Sequence, residues 1–165
     1  MRRSPKVADL GTALKLWVVL ARAFDSVERH ARASIARFGL GATEFGVLEV
    51  LAHKGELPVC EVQQRILVES SSTTYVVDKL VDRGLVRRRA SGVDRRVVLL
   101  TLTPAGRRLV KRIFPPHADA MRLAVAALSP RDQARAVRLL GTLGTGAAAQ
   151  LKDGEAGGPR RQSAS

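Results

Sequence analysis

An early part of the chain carries apolar residues at every third or fourth position. These residues are Leu10, Leu14, Trp17, Ala21, Phe24, Val27, Ala31, Ile35 and Phe38. The spacing is that of one face of an α-helix, so the pattern predicts a helix over roughly 9–38 that Gly39 ends. Leu16, Val19 and Leu20 lie outside this stripe, which leaves the first half of the helix apolar nearly all round. Such a surface is best buried against a second chain.

The next patterns predict a helix-turn-helix. A shorter amphipathic helix ends at Lys54, and Pro58 opens a third helix. A hydroxyl-rich run at 70–74 suits the start of another helix, because Ser and Thr side chains cap helix N-termini. That helix buries Leu80 and its neighbours and ends at Gly84. Helices joined by a turn within ~20 residues form the helix-turn-helix pattern.

Two strand-like runs follow this helix. Residues 85–89 and 96–102 predict two β-strands, joined by a hairpin tip at 90–95. Thr103 and Pro104 predict the start of the next helix, with proline at the first helical position. Together the patterns predict a mainly α fold with a small β-hairpin wing.

The end of the chain contains helix breakers. Pro115 and Pro116 should kink or break the helix that precedes them, with a further helix behind them and a last one beginning at Ser129. Gly, Ala, Ser and charged residues dominate the C-terminus, so residues 146–165 are predicted to be a flexible tail. Residues 1–8 are predicted to be a flexible N-terminus.

Charge changes this picture, because it is large and uneven. The 165 residues include 28 Lys and Arg against 15 Asp and Glu, a net charge of +13. Residues 7–69 carry seven basic and eight acidic side chains, whereas residues 85–112 carry nine basic side chains and one acidic side chain. A local surplus of this kind is the electrostatic pattern of a protein that binds phosphates. We therefore expect nucleic acid to lie near the hairpin.

Composition excludes several other classes. A single cysteine, Cys60, rules out an internal disulfide and a multi-cysteine zinc site, which favours a cytoplasmic protein. No apolar run approaches the ~18–20 residues of a membrane-spanning helix, and no membrane partner is expected. The three histidines are far apart, and no catalytic cluster, metal-spaced set or phosphate loop is present. We expect no enzymatic activity, no metal and no cofactor.

Two motifs connect these elements to a known family. Residues 94–106 combine an Asp-x-Arg tip, a strand and a Leu-Thr-x-x-Gly helix start, and residues 80–88 join a helix end to a basic strand. Both are similar to signatures of MarR-family transcriptional regulators, and the resemblance covers about 9–145. Within the family, residues 53–55 and 71–80 resemble the branch that senses catechols and quinones, the MhqR-like repressors.

The resemblance implies an architecture and a function. It implies a winged helix-turn-helix over 42–112, with dimerisation helices at 9–38 and 115–145. It also implies a bacterial homodimeric repressor that binds a pseudo-palindromic operator in double-stranded DNA and is released by a small aromatic or phenolic ligand. The residues expected at the dimer interface are Leu10, Leu14, Trp17, Leu128, Leu139, Leu140 and Leu143.

The DNA-binding residues are expected at the start of the last helix of the helix-turn-helix and on the wing. A recognition helix places its N-terminal residues against base edges, and arginines on a wing suit the minor groove. The candidates are Ser70, Ser71, Ser72, Thr74, Tyr75, Lys79, Arg87, Arg89, Arg95 and Arg96. Lys79 suits a phosphate contact. Because Arg87, Arg88 and Arg89 alternate faces on a strand, at most two of them can point toward DNA. Asp94 is anionic, and we expect it to hold the wing by accepting a hydrogen bond or pairing with an arginine.

The candidate ligand-binding residues are aromatic or imidazole side chains. They are Trp17, Phe24, His30, Phe38, Phe45 and His53. An aromatic side chain on a helix stripe is more often part of the core, so that alternative stays open for each. Three alternatives to the ligand-released repressor also stay open. They are a non-specific architectural DNA-binding protein, a regulator without a ligand, and a regulator that responds to oxidation of Cys60.

Overall fold

The computed structural model describes residues 7–66, 73–94 and 96–156, which belong to two compact units, one ending at Ala124 and one beginning at Val125. The elements in chain order are α1 (Val7–Ala36), α2 (Ala42–Lys54), β1 (Leu57–Pro58), α3 (Val59–Arg65), α4 (Thr73–Asp82), β2 (Val86–Ala90), β3 (Val98–Leu102), α5 (Pro104–Ala124) and α6 (Pro130–Ala156). The predicted mainly α fold with a small β-hairpin wing is confirmed.

The core of the first unit joins helices and sheet. Leu48 of α2, Leu80 of α4, Leu100 of β3 and Ile113 of α5 are completely buried. Burial of an apolar side chain of this size stabilises the folded chain by about 1.5–3 kcal/mol. These four side chains therefore pack α4 together with α2, α5 and the sheet, and this packing sets where the first turn of α4 points.

The sheet has three antiparallel strands in the order β1-β3-β2. In the register of β2 and β3, Val86 lies opposite Leu102 and Arg88 opposite Leu100. The short strand β1 was not predicted, and it adds Leu57 on the other side of Leu100. Two residues are too few to show the alternation by which a strand is read from sequence.

The joints around the wing depend on close backbone contacts. Gly84 has φ of 65°, and Leu85 N–H donates to the Leu80 carbonyl at 2.9 Å, so the predicted C-cap of α4 is confirmed. Gly106 N–H donates to Thr103 Oγ1 at 3.0 Å, which confirms the predicted start of α5. A Cβ on Gly106 would lie 2.1 Å from the Leu85 carbonyl oxygen, so only glycine lets α5 approach this turn.

Pro115 and Pro116 were predicted to kink or break the helix that precedes them. The predicted break is wrong, while a kink stays a prediction. α5 runs from Pro104 to Ala124 with Pro115 and Pro116 inside it. A proline in a helix removes one hydrogen bond and clashes with the preceding turn. Here packing holds the helix on both sides of the prolines, since Ile113 is completely buried before them and the next turn is bonded to α1.

The prediction of flexible ends is also wrong in part. α6 continues as a helix to Ala156, so residues 146–156 of the predicted tail are helical. Residues 157–165 lie outside the described part. The alanines at 147–149 have the highest helix propensity and offset the glycines before them. At the other end, α1 begins at Val7, inside the predicted flexible N-terminus.

The second unit begins with the turn before α6. Asp132 N–H donates to Ser129 Oγ at 3.2 Å, and Gln133 N–H donates to the Ser129 carbonyl at 2.9 Å. Ser129 therefore caps the helix as predicted. No helix in the described part of the chain is both long and apolar enough to span a membrane.

Candidate nucleic-acid interface

The first turn of α4 presents polar side chains to solvent. Thr74 is exposed and Tyr75 is 71% exposed, whereas Val76, Val77 and Leu80 are buried. A helix with this division keeps its position through its apolar face and offers its hydroxyls to a partner. The predicted candidates Ser70, Ser71, Ser72 and Arg95 lie outside the described residues.

An open groove of about 540 Å³ separates α4 from the wing. Its lining residues are Pro58, Val59, Cys60, Gln63, Thr74, Arg88, Arg96, Val97 and Val98. We call it the α4–wing groove. It brings the predicted residues Thr74 and Arg96 to one surface, and it adds Arg88, which was not among the candidates. The Thr74 hydroxyl and the Arg96 guanidinium can bond both bases and phosphates, whereas Arg88 is already paired with Asp78.

The three arginines of β2 divide between two faces. Arg88 shares a face with buried Leu100 and forms an ion pair with Asp78 of α4. Arg87 and Arg89, the two arginines expected at DNA, lie on the other face. The face of Arg88 could have been predicted from the sequence. Val86 is apolar and points into the core, and residues two positions apart on a strand lie on the same face, so Arg88 shares the face of Val86.

Arg89, which was expected to contact DNA, forms an ion pair with Glu56. Its Nε donates to Glu56 Oε2 at 2.6 Å, and its terminal nitrogen also bonds the Glu56 carboxylate. These hydrogen bonds and the nearby negative charge raise the pKa of Arg89. The guanidinium is thus occupied by an internal ion pair beside β1.

Lys79, expected to contact phosphate, is about half exposed but forms an ion pair within the protein. Its Nζ lies 3.1 Å from Oε1 of Glu44, whose side chain is 7% exposed, and Arg83 Nη1 lies 3.2 Å from the same oxygen. Gly41 N–H donates to the other oxygen at 2.6 Å. Burial by itself raises the pKa of Glu44, but the Gly41 hydrogen bond and the charges of Lys79 and Arg83 together hold it below its usual value. This cluster ties α4 to the start of α2.

Asp94 has a structural contact at the wing tip. Its Oδ1 accepts a hydrogen bond from the Arg96 backbone N–H at 2.9 Å, and its carbonyl accepts one from Val97 at 3.0 Å. This is the kind of hydrogen bond expected of Asp94. The turn that it closes directs the chain from the tip toward β3.

The six candidate ligand residues do not form one site. Trp17 and Phe24 are 66% and 60% exposed on α1, and His30 is also exposed. The His53 ring lies edge-on to Phe114, with ring centroids 6.1 Å apart. Phe38 and Phe45 line two different cavities.

Phe45 meets a residue that the sequence did not single out. The ring of His117 lies 4.8 Å from the ring of Phe45, beside a cavity of about 250 Å³ between α1, α2, α3 and α5. We call it the His117 cavity. Its lining residues are Glu28, Ala31, Arg32, Ile35, Ala42, Phe45, Gly46, Glu49, Val50, Arg65, Ile66 and His117. His117 follows the prolines that were expected to break α5, so its place beside α2 could not be read from sequence.

The hydrogen bonds of His117 define its tautomer. Ser34 Oγ lies 2.7 Å from the Ala31 carbonyl, which can only accept, and 2.8 Å from His117 Nδ1. Because a hydroxyl has one hydrogen, Ser34 donates to Ala31 and accepts from His117 Nδ1–H. In the neutral imidazole, Nε2 is then the acceptor.

These features define a winged helix-turn-helix protein, and comparison with known proteins gives the family. A profile described as MarR family matches residues 38–97. The chain is 41% identical to the HTH-type transcriptional regulator MhqR of Bacillus subtilis (strain 168), over 82% of this chain and 93% of that protein. The chain therefore belongs to the MarR family of transcriptional regulators.

Solved structures agree with this assignment. Sco3205, a MarR family regulator from Streptomyces coelicolor solved in complex with DNA, has 25% identity and a TM-score of 0.75, over 88% of this chain and 91% of that chain. BpsR of Bordetella bronchiseptica, whose DNA binding is regulated by 6-hydroxynicotinic acid, has 27% identity and a TM-score of 0.72, over 79% of this chain and 98% of that chain.

Proposed function

We propose that this regulator is a homodimeric repressor that binds a specific, pseudo-palindromic operator. The observation that carries the proposal is the α4–wing groove, where exposed Thr74 lies beside Arg88 and Arg96. In this proposal the first turn of α4, with Thr74 and Tyr75, reads base edges in the major groove. Arg96 on the wing contacts the minor groove or its phosphates, and Asp94 keeps the tip in shape.

The apolar surface of α1 and α6 supports the proposed dimer. Five of the predicted interface residues are about half exposed or more on the single chain: Leu10, Leu14, Trp17, Leu139 and Leu140. Leu128 and Leu143 are exposed as well. Apolar patches of this kind on one chain mark a protein interface. A two-fold dimer presents two recognition helices about one DNA turn apart, which explains why the operator should be palindromic.

Two arginines on opposite sides of the wing test the DNA surface. Binding of a duplex from the regulator's own upstream region is measured by fluorescence anisotropy over a range of salt concentrations. Arg96→Ala is expected to weaken binding about tenfold and to lower the salt slope by about 1, because one phosphate contact is lost. Arg87→Ala, on the outer face of β2, is the matched control and should change binding less than about twofold. Equal losses in the two variants would contradict the proposed orientation.

The His117 cavity supports release by a small phenolic ligand. Its volume of about 250 Å³ suits a ligand with a single aromatic ring, and the Phe45 side chain can pack against that ring. Nε2 of neutral His117 can accept a hydrogen bond from a phenol hydroxyl. The regulation of BpsR by 6-hydroxynicotinic acid, a hydroxylated aromatic ring, agrees with this class of ligand. Because the cavity touches α2 and α3, a ligand there can alter how the helix-turn-helix is held.

The ligand proposal is tested by thermal shift with catechol, methylhydroquinone and benzoate as probes. At least one phenol is expected to raise the melting temperature of the wild type. His117→Phe keeps the aromatic contact with Phe45 but removes the acceptor, so it should abolish that rise. His53→Phe, which changes a histidine outside the cavity, should keep it. The absence of any response in the wild type would favour a regulator without a ligand.

A response to oxidation is the second candidate. Cys60 is exposed and lines the α4–wing groove, so an oxidised sulfur there would meet the proposed DNA surface. Peroxide should then weaken operator binding in the wild type and leave Cys60→Ser unaffected. Identical behaviour of the two proteins would eliminate this candidate.

A further inference from the structure

A second groove collects arginines at the opposite end of α4. It lies between the end of α1, the turn after α4 and the first turns of α5, with a volume of about 490 Å³. Its lining residues are Phe38, Arg83, Leu85, Ala105, Arg108, Leu109 and Arg112. We call it the Phe38 groove. It is separate from the α4–wing groove and from the His117 cavity, with which it shares no lining residue.

The positive charge of the Phe38 groove is poorly compensated. Its lining contains three arginines and no Asp or Glu. Among the described residues, Arg83 has an ion pair with Glu44, but no carboxylate lies within ion-pair distance of Arg108, Arg112 or neighbouring Arg37. Like charges one helical turn apart, as in Arg108 and Arg112, oppose helix formation. A bound anion with more than one negative charge would remove this repulsion.

The floor of the groove is apolar and aromatic. The Arg37 and Arg112 guanidinium carbons lie 5.2 Å and 5.9 Å from the centre of the Phe38 ring, within cation–π distance. Leu85 and Leu109 are mostly buried beneath the groove. An inorganic anion, or a phosphate of the DNA backbone, would make no contact with this apolar floor. A ligand with a planar ring beside its charged groups would use both parts.

We propose that the Phe38 groove binds a nucleoside phosphate. The phosphates would be held by Arg108 and Arg112, because guanidinium groups bind phosphate oxygens in pairs. The base would lie against Phe38 and the guanidinium planes around it. Double-stranded DNA would present only its phosphates to the groove, because its bases are paired. A small nucleotide can place both its phosphates and its unpaired base in a concave site of this size.

Arg83 connects the groove to DNA binding. Its guanidinium contacts Glu44 and also donates to the Gly39 carbonyl at 3.1 Å, and it lines the groove. A phosphate in the groove would compete with Glu44 for Arg83. The contact between α4 and α2 would then weaken, so the nucleotide is expected to lower operator affinity, and by linkage the operator lowers nucleotide affinity.

The binding proposal is tested on the full chain without DNA, so its failure is distinct from failure of the operator proposal. Isothermal titration compares GTP, tripolyphosphate and guanosine at low ionic strength. GTP is expected to bind at least about tenfold more tightly than tripolyphosphate, and guanosine should not bind measurably. Equal binding of GTP and tripolyphosphate would show a general polyanion surface and overturn the proposal.

Variants separate the groove from general electrostatics. Arg108→Ala/Arg112→Ala should weaken GTP binding by about tenfold or more. Arg131→Ala/Arg135→Ala removes two exposed arginines with the same spacing from α6 and should leave GTP binding unchanged. Phe38→Leu keeps the charge and should reduce GTP binding to the level of tripolyphosphate. The proposal would be overturned if the two double variants lost GTP affinity equally. It would also be overturned if Arg108→Ala/Arg112→Ala weakened operator binding as much as Arg96→Ala does.

Discussion

Glu44 shows how one carboxylate fixes the position of the recognition helix α4. It is buried and accepts a hydrogen bond from Gly41 at the start of its own helix, while Lys79 of α4 and Arg83 in the turn after α4 form ion pairs with it. Removing one partner from a buried ionic cluster leaves the others without compensation, which costs more than the cluster contributes as a whole. We therefore expect Lys79 and Arg83 to stabilise the position of α4, although a basic residue on such a helix first suggests a phosphate contact.

The Glu44 cluster makes stability depend on pH. Because the pKa of Glu44 is lowered on folding, its contribution is complete above the unfolded pKa and is lost as the pH falls through the folded pKa. Glu44→Gln should lower the free energy of unfolding by about 1.5–3 kcal/mol at neutral pH. At about pH 3, urea unfolding should show a smaller difference in the free energy of unfolding between the wild type and Glu44→Gln, because this carboxyl is then mostly protonated in the unfolded chain.

A matched control distinguishes this cluster from surface charge. Asp25 pairs with Arg29 at 3.4 Å on the exposed side of α1, and Asp25→Asn should change stability by less than about 1 kcal/mol. A difference between wild type and Glu44→Gln that stayed constant with pH would contradict the role given to the carboxylate.

At the scale of elements, sequence periodicity predicted every helix of the winged helix-turn-helix and both long strands. It failed where tertiary contacts override local preference. α5 continues through Pro115 and Pro116 because its two ends are anchored, and this continuation alone brings His117 to Phe45. β1 is stabilised by pairing with β3, which no local pattern reveals. The sequence gives the number of charged residues but does not reveal which of them form ion pairs within the protein, as Lys79, Arg88 and Arg89 do.

In the whole molecule, the proposed specific binding to DNA requires a second copy of the chain. Leu14 and Trp17 are 59% and 66% exposed on the single chain, in the part of α1 that is apolar nearly all round. A single recognition helix reads too few bases for a specific site. In the proposed dimer, the same surface would decide both the oligomeric state and the affinity for a palindrome.

Sedimentation velocity tests the dimer. The wild type is expected at twice the chain mass of 17.8 kDa. Leu14→Glu/Trp17→Glu places two charges in the proposed interface and should shift the protein toward the monomer and weaken operator binding by about tenfold or more. Arg22→Glu, also on the exposed surface of α1, is the control with a changed charge and should remain dimeric. A wild-type monomer that still binds the palindrome tightly would contradict the account.

The most direct test of the central claim is the ratio of affinities for two DNA duplexes. One contains the palindrome upstream of the regulator's own gene, and the other is a scrambled duplex of equal length and composition at the same salt concentration. The wild type should prefer the palindrome by about 10³-fold or more. Thr74→Ala/Tyr75→Phe should bind the scrambled duplex as the wild type does and lose most of this preference, because base contacts specify while phosphate contacts position. Equal affinity of the wild type for both duplexes would contradict specific recognition and identify a non-specific DNA-binding protein.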